Sequence, residues 1–286
     1  MSAKEWHAER RFVSLKQGRI AYVKKGEAEA AVFMHGLPLS GFQWRHVVGP
    51  LSKHRRCIAP DFLSLGYTEV AEGQEVTPET QVEMLVAFLD KLSLGKVDIV
   101  ASDSGGQAAQ ILVARHPERV RSLLLTNCDS EIDSPPPALN PLIELSKKGR
   151  FVEELIVPWS KDKNLARTPQ GLGGQCYANP ANLTDEAIEM YLAPLVKRPG
   201  PVHAYIIALE RNPLVGIGPA LKKFSGPVRI VWGAADDLFS PLSPDFLHKQ
   251  FGNSRGVRRL EGGKLFWPEE QPDVLIEEAR KLWGVV

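Results

Sequence analysis

The segment of residues 97–116, VDIVASDSGGQAAQILVARH, limits the fold more than any other part of the chain. An apolar run leads into a small polar turn with two glycines, and a helix rich in small residues follows at once. This order predicts a buried strand that turns sharply into a helix and holds one side chain outward. Either Asp103 or Ser104 can stand at the centre of the turn, and strand length and the glycines favour Asp103. A turn that merely caps the helix would leave a similar pattern.

Short apolar runs alternate with helical patterns on both sides of that segment, which predicts parallel strands joined by right-handed crossovers. Strands are predicted at 11–15, 19–25, 30–36, 56–60, 96–102, 120–127, 227–233 and 257–263. Helices are predicted at 41–52, 78–92, 105–116 and 271–283.

The alternation stops after Asn127, where prolines interrupt the chain and no convincing strand is found until about residue 215. We therefore predict a core domain formed by residues 1–129 and 216–286. Residues 130–215 are predicted to form a helical cap that is inserted into the core domain and lies over the sheet as a lid.

The composition of the chain argues against several classes of function, among them nucleic-acid binding and membrane spanning. Lys and Arg number 35 against 34 Asp and Glu, and this balance argues against a nucleic-acid partner. The apolar runs are too short to span a bilayer, and the charged N-terminus is unlike a signal peptide. Three widely spaced cysteines suit a reducing compartment, so we expect a cytoplasmic protein. No Cys/His cluster has metal-ligand spacing and no Gly-Lys-Ser/Thr follows the turn, so neither metal nor organic cofactor is expected.

Two further segments resemble a known family. FMHGLP (33–38) ends one strand, and APDFLSLGYTE (59–69) follows the next. Together with the turn at Asp103 they resemble the α/β-hydrolase superfamily, in particular its branch of haloalkane dehalogenases and epoxide hydrolases. The resemblance extends over essentially the whole chain. It implies an eight-stranded, mostly parallel sheet with a helical cap inserted after the sixth strand.

The resemblance also implies site residues. Asp103 would be a nucleophile that forms an ester with the substrate, and the backbone amides of Leu37 and Ser104 would form the oxyanion hole. Asp236, in the segment VWGAAD, is the candidate for the acid of the triad. Asn127 and Asp129 are the alternatives, because some relatives place the acid there.

The base of the triad has no counterpart. Relatives carry a histidine at the position of Leu265, with Lys264 beside it here, and no histidine follows His248. His203, Trp159 and Tyr177 are the candidates for a substitute base or a substrate contact. The remaining candidates are Tyr191 and the carboxylates at the start of the cap, which could position water: Asp129, Glu131 and Asp133.

Three functions fit this pattern. The first is hydrolysis of a small, mainly apolar halide, epoxide or ester through Asp103 with an unconventional base. The second is a lyase or isomerase reaction that uses Asp103 as an acid or base. The third is a catalytically inactive module that binds a small molecule. The sequence gives no indication of the oligomeric state.

Overall fold

A computed structural model describes residues 1–71 and 73–285, and a single nine-stranded sheet runs through it. Its strands are β1 (Arg10–Leu15), β2 (Gly18–Lys25), β3 (Ala30–Met34), β4 (Arg56–Pro60), β5 (Glu69–Val70), β6 (Val97–Asp103), β7 (Val120–Cys128), β8 (Val228–Gly233) and β9 (Ser254–Leu260). Eight strands follow the order β1-β2-β4-β3-β6-β7-β8-β9, and the two-residue β5 pairs with β2. The pairs that involve β2 are antiparallel, and all pairs from β4 to β9 are parallel.

The central strands are apolar because they are covered on both faces. All five residues of β3 are buried, as are all nine of β7 except Arg121. Parallel strands with helices on both sides are expected to have such continuous apolar sequences rather than alternating ones. The predicted mostly parallel α/β sheet of eight strands is confirmed, and β5 is an addition too short to leave a pattern.

Helices cover the sheet and form the inserted region. They are α1 (Ala3–Glu9), α2 (Val48–Leu51), α3 (Pro78–Lys91), α4 (Ser104–Arg115), α5 (Asn140–Lys147), α6 (Val157–Lys161), α7 (Lys163–Arg167), α8 (Leu172–Cys176), α9 (Asp185–Lys197), α10 (Pro199–Ala208), α11 (Gly218–Lys223), α12 (Ser243–Gln250), α13 (Trp267–Glu270) and α14 (Pro272–Trp283). The helix predicted at 41–52 is instead a short 3-10 turn at Gly41–Trp44 followed by α2. Helix α1 was not predicted, although Ser2 and Glu5 form a capping box at its start.

Between β7 and β8 the described chain contains helices, turns and one isolated bridge, but no strand. Arg198 ties this inserted region to the core by donating hydrogen bonds to the carbonyl oxygens of Gly66 and Thr68. The predicted boundaries at 129/130 and 215/216 stay predictions, and residues 72 and 286 of the predicted core lie outside the described residues. Among the described residues, no helix is both long and apolar enough to cross a membrane.

Candidate active site

Asp103 is the last residue of β6 and the residue before α4, and its backbone has φ +56° and ψ −137°. An L-residue rarely adopts a positive φ, and such strain persists only where the surroundings impose it. Close packing imposes it here: a Cβ at Gly105 would stand 2.5 Å from the carbonyl oxygens of Met34 and His35. The strained position is therefore Asp103 and not Ser104.

Two turns adjoin Asp103. The Ser104 N–H, at the start of α4, donates to Asp103 Oδ1. Gly36 lies directly against Asp103, because a Cβ at Gly36 would overlap the Cβ and Cγ atoms of the aspartate. Leu37 follows and lines the same cavity, and its amide makes no hydrogen bond among the described residues. No described hydrogen bond reaches Asp103 Oδ2.

The cavity in front of Asp103, hereafter the elbow cavity, has a volume of about 250 Å³. The core and the inserted region both line it, and most of its surface is apolar. Its lining residues are Leu37, Pro38, Asp103, Ser104, Asp129, Pro136, Ala138, Leu139, Leu142, Phe151, Leu155, Trp159, Gln170, Leu172, Gln175, Cys176, Leu209, Leu238, Phe239 and Leu265. Such a cavity suits a small apolar molecule that is oriented by a few polar groups.

Two carboxyl groups face the elbow cavity, and both hold protons more tightly than usual. Burial raises the pKa of Asp103 to about 8, and the nearby Asp129 carboxylate adds to the rise. Burial also raises the pKa of Asp129 to about 7, although a hydrogen bond from Ser134 opposes it. Both carboxyls therefore change charge within the physiological range.

Asp129 follows β7 and is held in place by residues of α4 and of its own loop. Its Oδ1 accepts hydrogen bonds from Ser134 Oγ at 2.9 Å and from Gln107 Nε2 at 3.3 Å. Gln110, one turn further along α4, donates to the Asp129 carbonyl oxygen at 2.8 Å. The other two predicted water-positioning carboxylates do not line the cavity. Glu131 accepts a hydrogen bond from the Gln250 side chain, and Asp133 accepts one from the Ser240 amide.

Asp236 and Asn127 are brought together, but behind the lining of the cavity. Asn127 Nδ2 donates to Asp236 Oδ2 at 2.8 Å, and the Leu238 N–H donates to Oδ1 at 3.1 Å. Burial raises the pKa of Asp236 to about 6 against these hydrogen bonds. Both oxygens of Asp236 are thus already in use, whereas Leu265 reaches the cavity with an apolar side chain.

Of the three predicted substitute groups, only Trp159 lines the elbow cavity. His203 Nε2 accepts the Val152 N–H at 3.2 Å, so the structure gives this histidine a capping role away from Asp103. The Tyr177 hydroxyl donates to Glu269 at 3.1 Å, and so does that of Tyr191 at 2.6 Å. His203 and Tyr177 therefore do not line the elbow cavity, and the role given to them in the sequence analysis stays a prediction.

Tyr205 reaches the elbow and was missed in the sequence. Its hydroxyl donates to Ser104 Oγ at 2.9 Å, and burial raises its pKa. A signal was present, because the buried face of α10 follows a helical period. That face carries Val202, Tyr205, Ile206 and Leu209. His203 lies off this stripe.

The histidines of the chain do not approach the cavity, since none of its lining residues is a histidine. His35, in the turn before Leu37, is fully buried and accepts the Phe62 N–H at 3.0 Å. Within residues 1–71 and 73–285, no group of three or more His, Cys, Asp or Glu side chains is arranged to hold a metal ion.

Residues 31–270 match the family model of the alpha/beta hydrolase fold. The chain belongs to the α/β-hydrolase fold family. The matched residues run from the second residue of β3 through α13, so they include both the elbow and the inserted region.

Proteins to which the chain is similar differ in the activities that their names state. A cis-3-alkyl-4-alkyloxetan-2-one decarboxylase of Shewanella oneidensis is 31% identical over 121 residues, which cover 41% of this chain and 38% of the relative. Haloalkane dehalogenase 2 of Mycobacterium bovis is 28% identical over 160 residues, covering 52% and 55%. The chain thus spans about half the length, or less, of these curated relatives.

The architecture also has solved counterparts. The structure of the epoxide hydrolase CorEH is similar with a TM-score of 0.75 at 22% identity, over 96% of this chain and 98% of that one. At this identity the likeness shows the fold alone.

Proposed function

We propose that the protein is a hydrolase of small, mainly apolar electrophiles and that Asp103 is its nucleophile. The observation that carries the proposal is the state of the Asp103 carboxylate. One oxygen is held by the Ser104 amide, while the other has no described hydrogen bond and the residue lines an apolar cavity. A strained turn at a strand end is the usual way to present a nucleophile in this fold.

With an activated ester the covalent intermediate would be a mixed anhydride, and with a halide or an epoxide it would be an ester, whose reaction is as follows. Asp103 Oδ2 forms a bond to the electrophilic carbon, and the leaving group departs with the bonding electrons. Water then adds to the ester carbonyl carbon, and the negative charge develops on Oδ1. The Ser104 amide already bonds that oxygen, and the Leu37 amide lies in the adjoining turn. Collapse of this intermediate regenerates the carboxylate and releases an alcohol.

Ser104 offers a donor for the leaving group. Its Oγ accepts a hydrogen bond from the Tyr205 hydroxyl, and its own O–H lies within reach of the Asp103 carboxylate, from which it can turn to another acceptor. Because Ser104 lines the elbow cavity, this acceptor can be an atom of the substrate. A hydroxyl donor at this place supports an oxygen leaving group, as in an epoxide or an activated ester, as well as a halide.

The proposal is tested by the intact mass of the protein after incubation with alkyl halides, epoxides and activated esters. We expect either turnover or a stable adduct, and peptide mapping should place the adduct on Asp103. The matched control is Asp103→Asn, which keeps the shape of the side chain but removes the nucleophilic oxygen. Adduct formation by the variant, or no adduct and no turnover across the panel, would contradict the proposal and favour a binding module.

A lyase reaction is the second candidate, and the apolar Leu265 in the cavity favours it. Asp103 Oδ2 would attack the ring carbon of a strained lactone, so that the ring C–O bond breaks and a carboxylate is freed. That carboxylate would leave as CO₂, and its electron pair would form an alkene while Asp103 is expelled. No water and no proton acceptor are needed. The decarboxylase relative acts on such a ring by its name, and release of CO₂ and alkene distinguishes this route from hydrolysis.

A further inference from the structure

The second step of the proposed hydrolysis needs a group that accepts a proton from water, and the inference here rests on that proposed function. Apart from Asp103, the lining residues with polar side chains are Ser104, Asp129, Gln170, Gln175, Trp159 and Cys176. Amides, the indole and a hydroxyl are not bases at neutral pH. Burial raises the pKa of Cys176 well above its ordinary value, which keeps it a neutral thiol.

Asp129 remains, and its position fits the task. Asp103 is paired with Cys128 across the β6–β7 ladder, so Asp129 is the first residue after the end of the neighbouring strand. Its Oδ1 is occupied by Ser134 and Gln107, whereas no described hydrogen bond reaches Oδ2. The nucleophile and Asp129 thus each have one carboxylate oxygen with no described hydrogen bond, and both residues line the same cavity.

One helix fixes both groups. The amide at the start of α4 bonds Asp103, and Gln107 and Gln110 of the same helix bond the side chain and carbonyl of Asp129. The relative position of the two carboxyls therefore depends on the first two turns of a single rigid element. Asp236 does not compete, because hydrogen bonds occupy both of its oxygens and it does not line the cavity.

We propose that Asp129 is the general base that activates water against the Asp103 ester. Its Oδ2 takes a proton from water while the water oxygen bonds to the ester carbonyl carbon. When the intermediate collapses, the C–O bond to the substrate breaks, and the departing oxygen takes the proton back from Asp129. Asp129 is then ionised again, and the alcohol has gained one hydrogen of the water. The other hydrogen stays on the Asp103 carboxyl, which becomes a carboxylate when it loses that proton to solvent.

The pKa shifts of the two carboxyls are consistent with Asp103 as the nucleophile and Asp129 as the general base. In the free enzyme the charge of Asp129 raises the pKa of Asp103. Esterification removes the charge of Asp103, so that Asp129 can ionise without a charged neighbour at the elbow. The pKa of Asp129, about 7, is suited to a base at neutral pH. The other titratable groups that face Asp129 are Cys128 on its own strand, Asp133 in the following loop and Tyr205 on α10.

The test separates the two steps in the variant Asp129→Asn by rapid-quench intact mass with an epoxide or halide that the wild type turns over. We expect the adduct on Asp103 to form at least as fast as in the wild type, because a neighbouring charge is removed. Breakdown of the adduct should fall about 100-fold or more, the usual contribution of a general base, so that the adduct accumulates. The matched control is Asp237→Asn, at an exposed carboxylate of the loop after β8 that does not line the cavity, and its loss should leave breakdown unchanged.

The variant Asp129→Glu keeps a carboxylate at this position and should keep measurable breakdown. It therefore distinguishes loss of the base from misfolding as the cause of slow breakdown in Asp129→Asn. In the wild type, breakdown should rise with pH through about 7, and this rise should be absent in Asp129→Asn. Wild-type breakdown in Asp129→Asn would overturn the role of Asp129, as would loss of adduct formation with a normal fold. A stable adduct in the wild type itself would also overturn it and leave Asp103 as nucleophile. Absence of any adduct and turnover would instead remove the proposed function.

Discussion

Replacing Asp103 by Asn is expected to stabilise the folded protein at neutral pH. The pKa of this carboxyl rises from 3.8 to about 8 in the fold, chiefly because it is buried. Between these two values the folded state binds the proton and the unfolded state does not. Stability therefore falls as the pH rises from about 4 to about 8 and stays low above that range. An asparagine carries no charge that must be desolvated, so the stability of the variant does not fall with pH for this reason.

The magnitude follows from the same values. At pH 7 the pH is about three units above the pKa of Asp103 in the unfolded chain, and each unit corresponds to about 1.4 kcal/mol. The charge of Asp103 therefore lowers the free energy of unfolding of the wild type by about 4 kcal/mol at most. We expect a gain of about 1 to 4 kcal/mol in the free energy of unfolding, since local relaxation and water in the cavity reduce the penalty. At pH 5 the same calculation gives a stability gain of less than about 2 kcal/mol for Asp103→Asn.

Urea unfolding of the wild type and of Asp103→Asn at both pH values measures the effect. Asp237→Asn, at an exposed carboxylate of the loop after β8, is the control and should change stability by about 0.5 kcal/mol or less. A variant that is no more stable than the wild type at pH 7 would refute the reasoning. A gain that does not shrink at pH 5 would show that its cause is not the charge of Asp103.

Three further predictions concern the reaction at the elbow. Alkylation of Asp103 requires its ionised form, so the rate of adduct formation should rise about tenfold between pH 7 and 9, and a rate that falls over this range would exclude the carboxylate as nucleophile. Gly36→Ala should abolish adduct formation because its methyl group would overlap the aspartate, whereas Gly49→Ala, where a Cβ meets nothing within 4 Å, should react normally in the same mass assay. Tyr205→Phe should lower kcat/KM about tenfold through loss of one buried hydrogen bond. Tyr67→Phe, at a tyrosine that does not line the elbow cavity, should leave steady-state kinetics unchanged.

The sheet and the elbow could be predicted because their signals are local. Apolar runs marked the buried strands, and small residues marked the turn at Asp103, where neighbouring backbone leaves no room for a Cβ at Gly105. The stretch 41–52 was wrongly predicted as one helix, because its apolar residues are buried through a 3-10 turn and a separate short helix. Periodicity alone does not distinguish these arrangements.

The polar groups of the cavity were harder to predict because they depend on which side of each helix between β7 and β8 faces the sheet. His203 was singled out for its chemistry, although the apolar stripe of α10 passes through Tyr205 instead. Tyr177 was chosen in the same way, but its hydroxyl is bound by Glu269, whose place in space no local pattern reveals. The sequence analysis named Asp129 together with Glu131 and Asp133. Only Asp129 lines the cavity, and this difference depends on the fold of the loop, which no local pattern reveals.

The central claim, that an ester on Asp103 is formed and then hydrolysed, is tested most directly by a single turnover in heavy-oxygen water. With enzyme in excess over a halide or epoxide, the account predicts that the heavy oxygen appears in the carboxylate of Asp103, on the peptide that contains it. The first alcohol released should carry ordinary oxygen, taken from the aspartate. Heavy oxygen in the product and none in Asp103 would mean that water attacks the substrate directly, and would contradict the account.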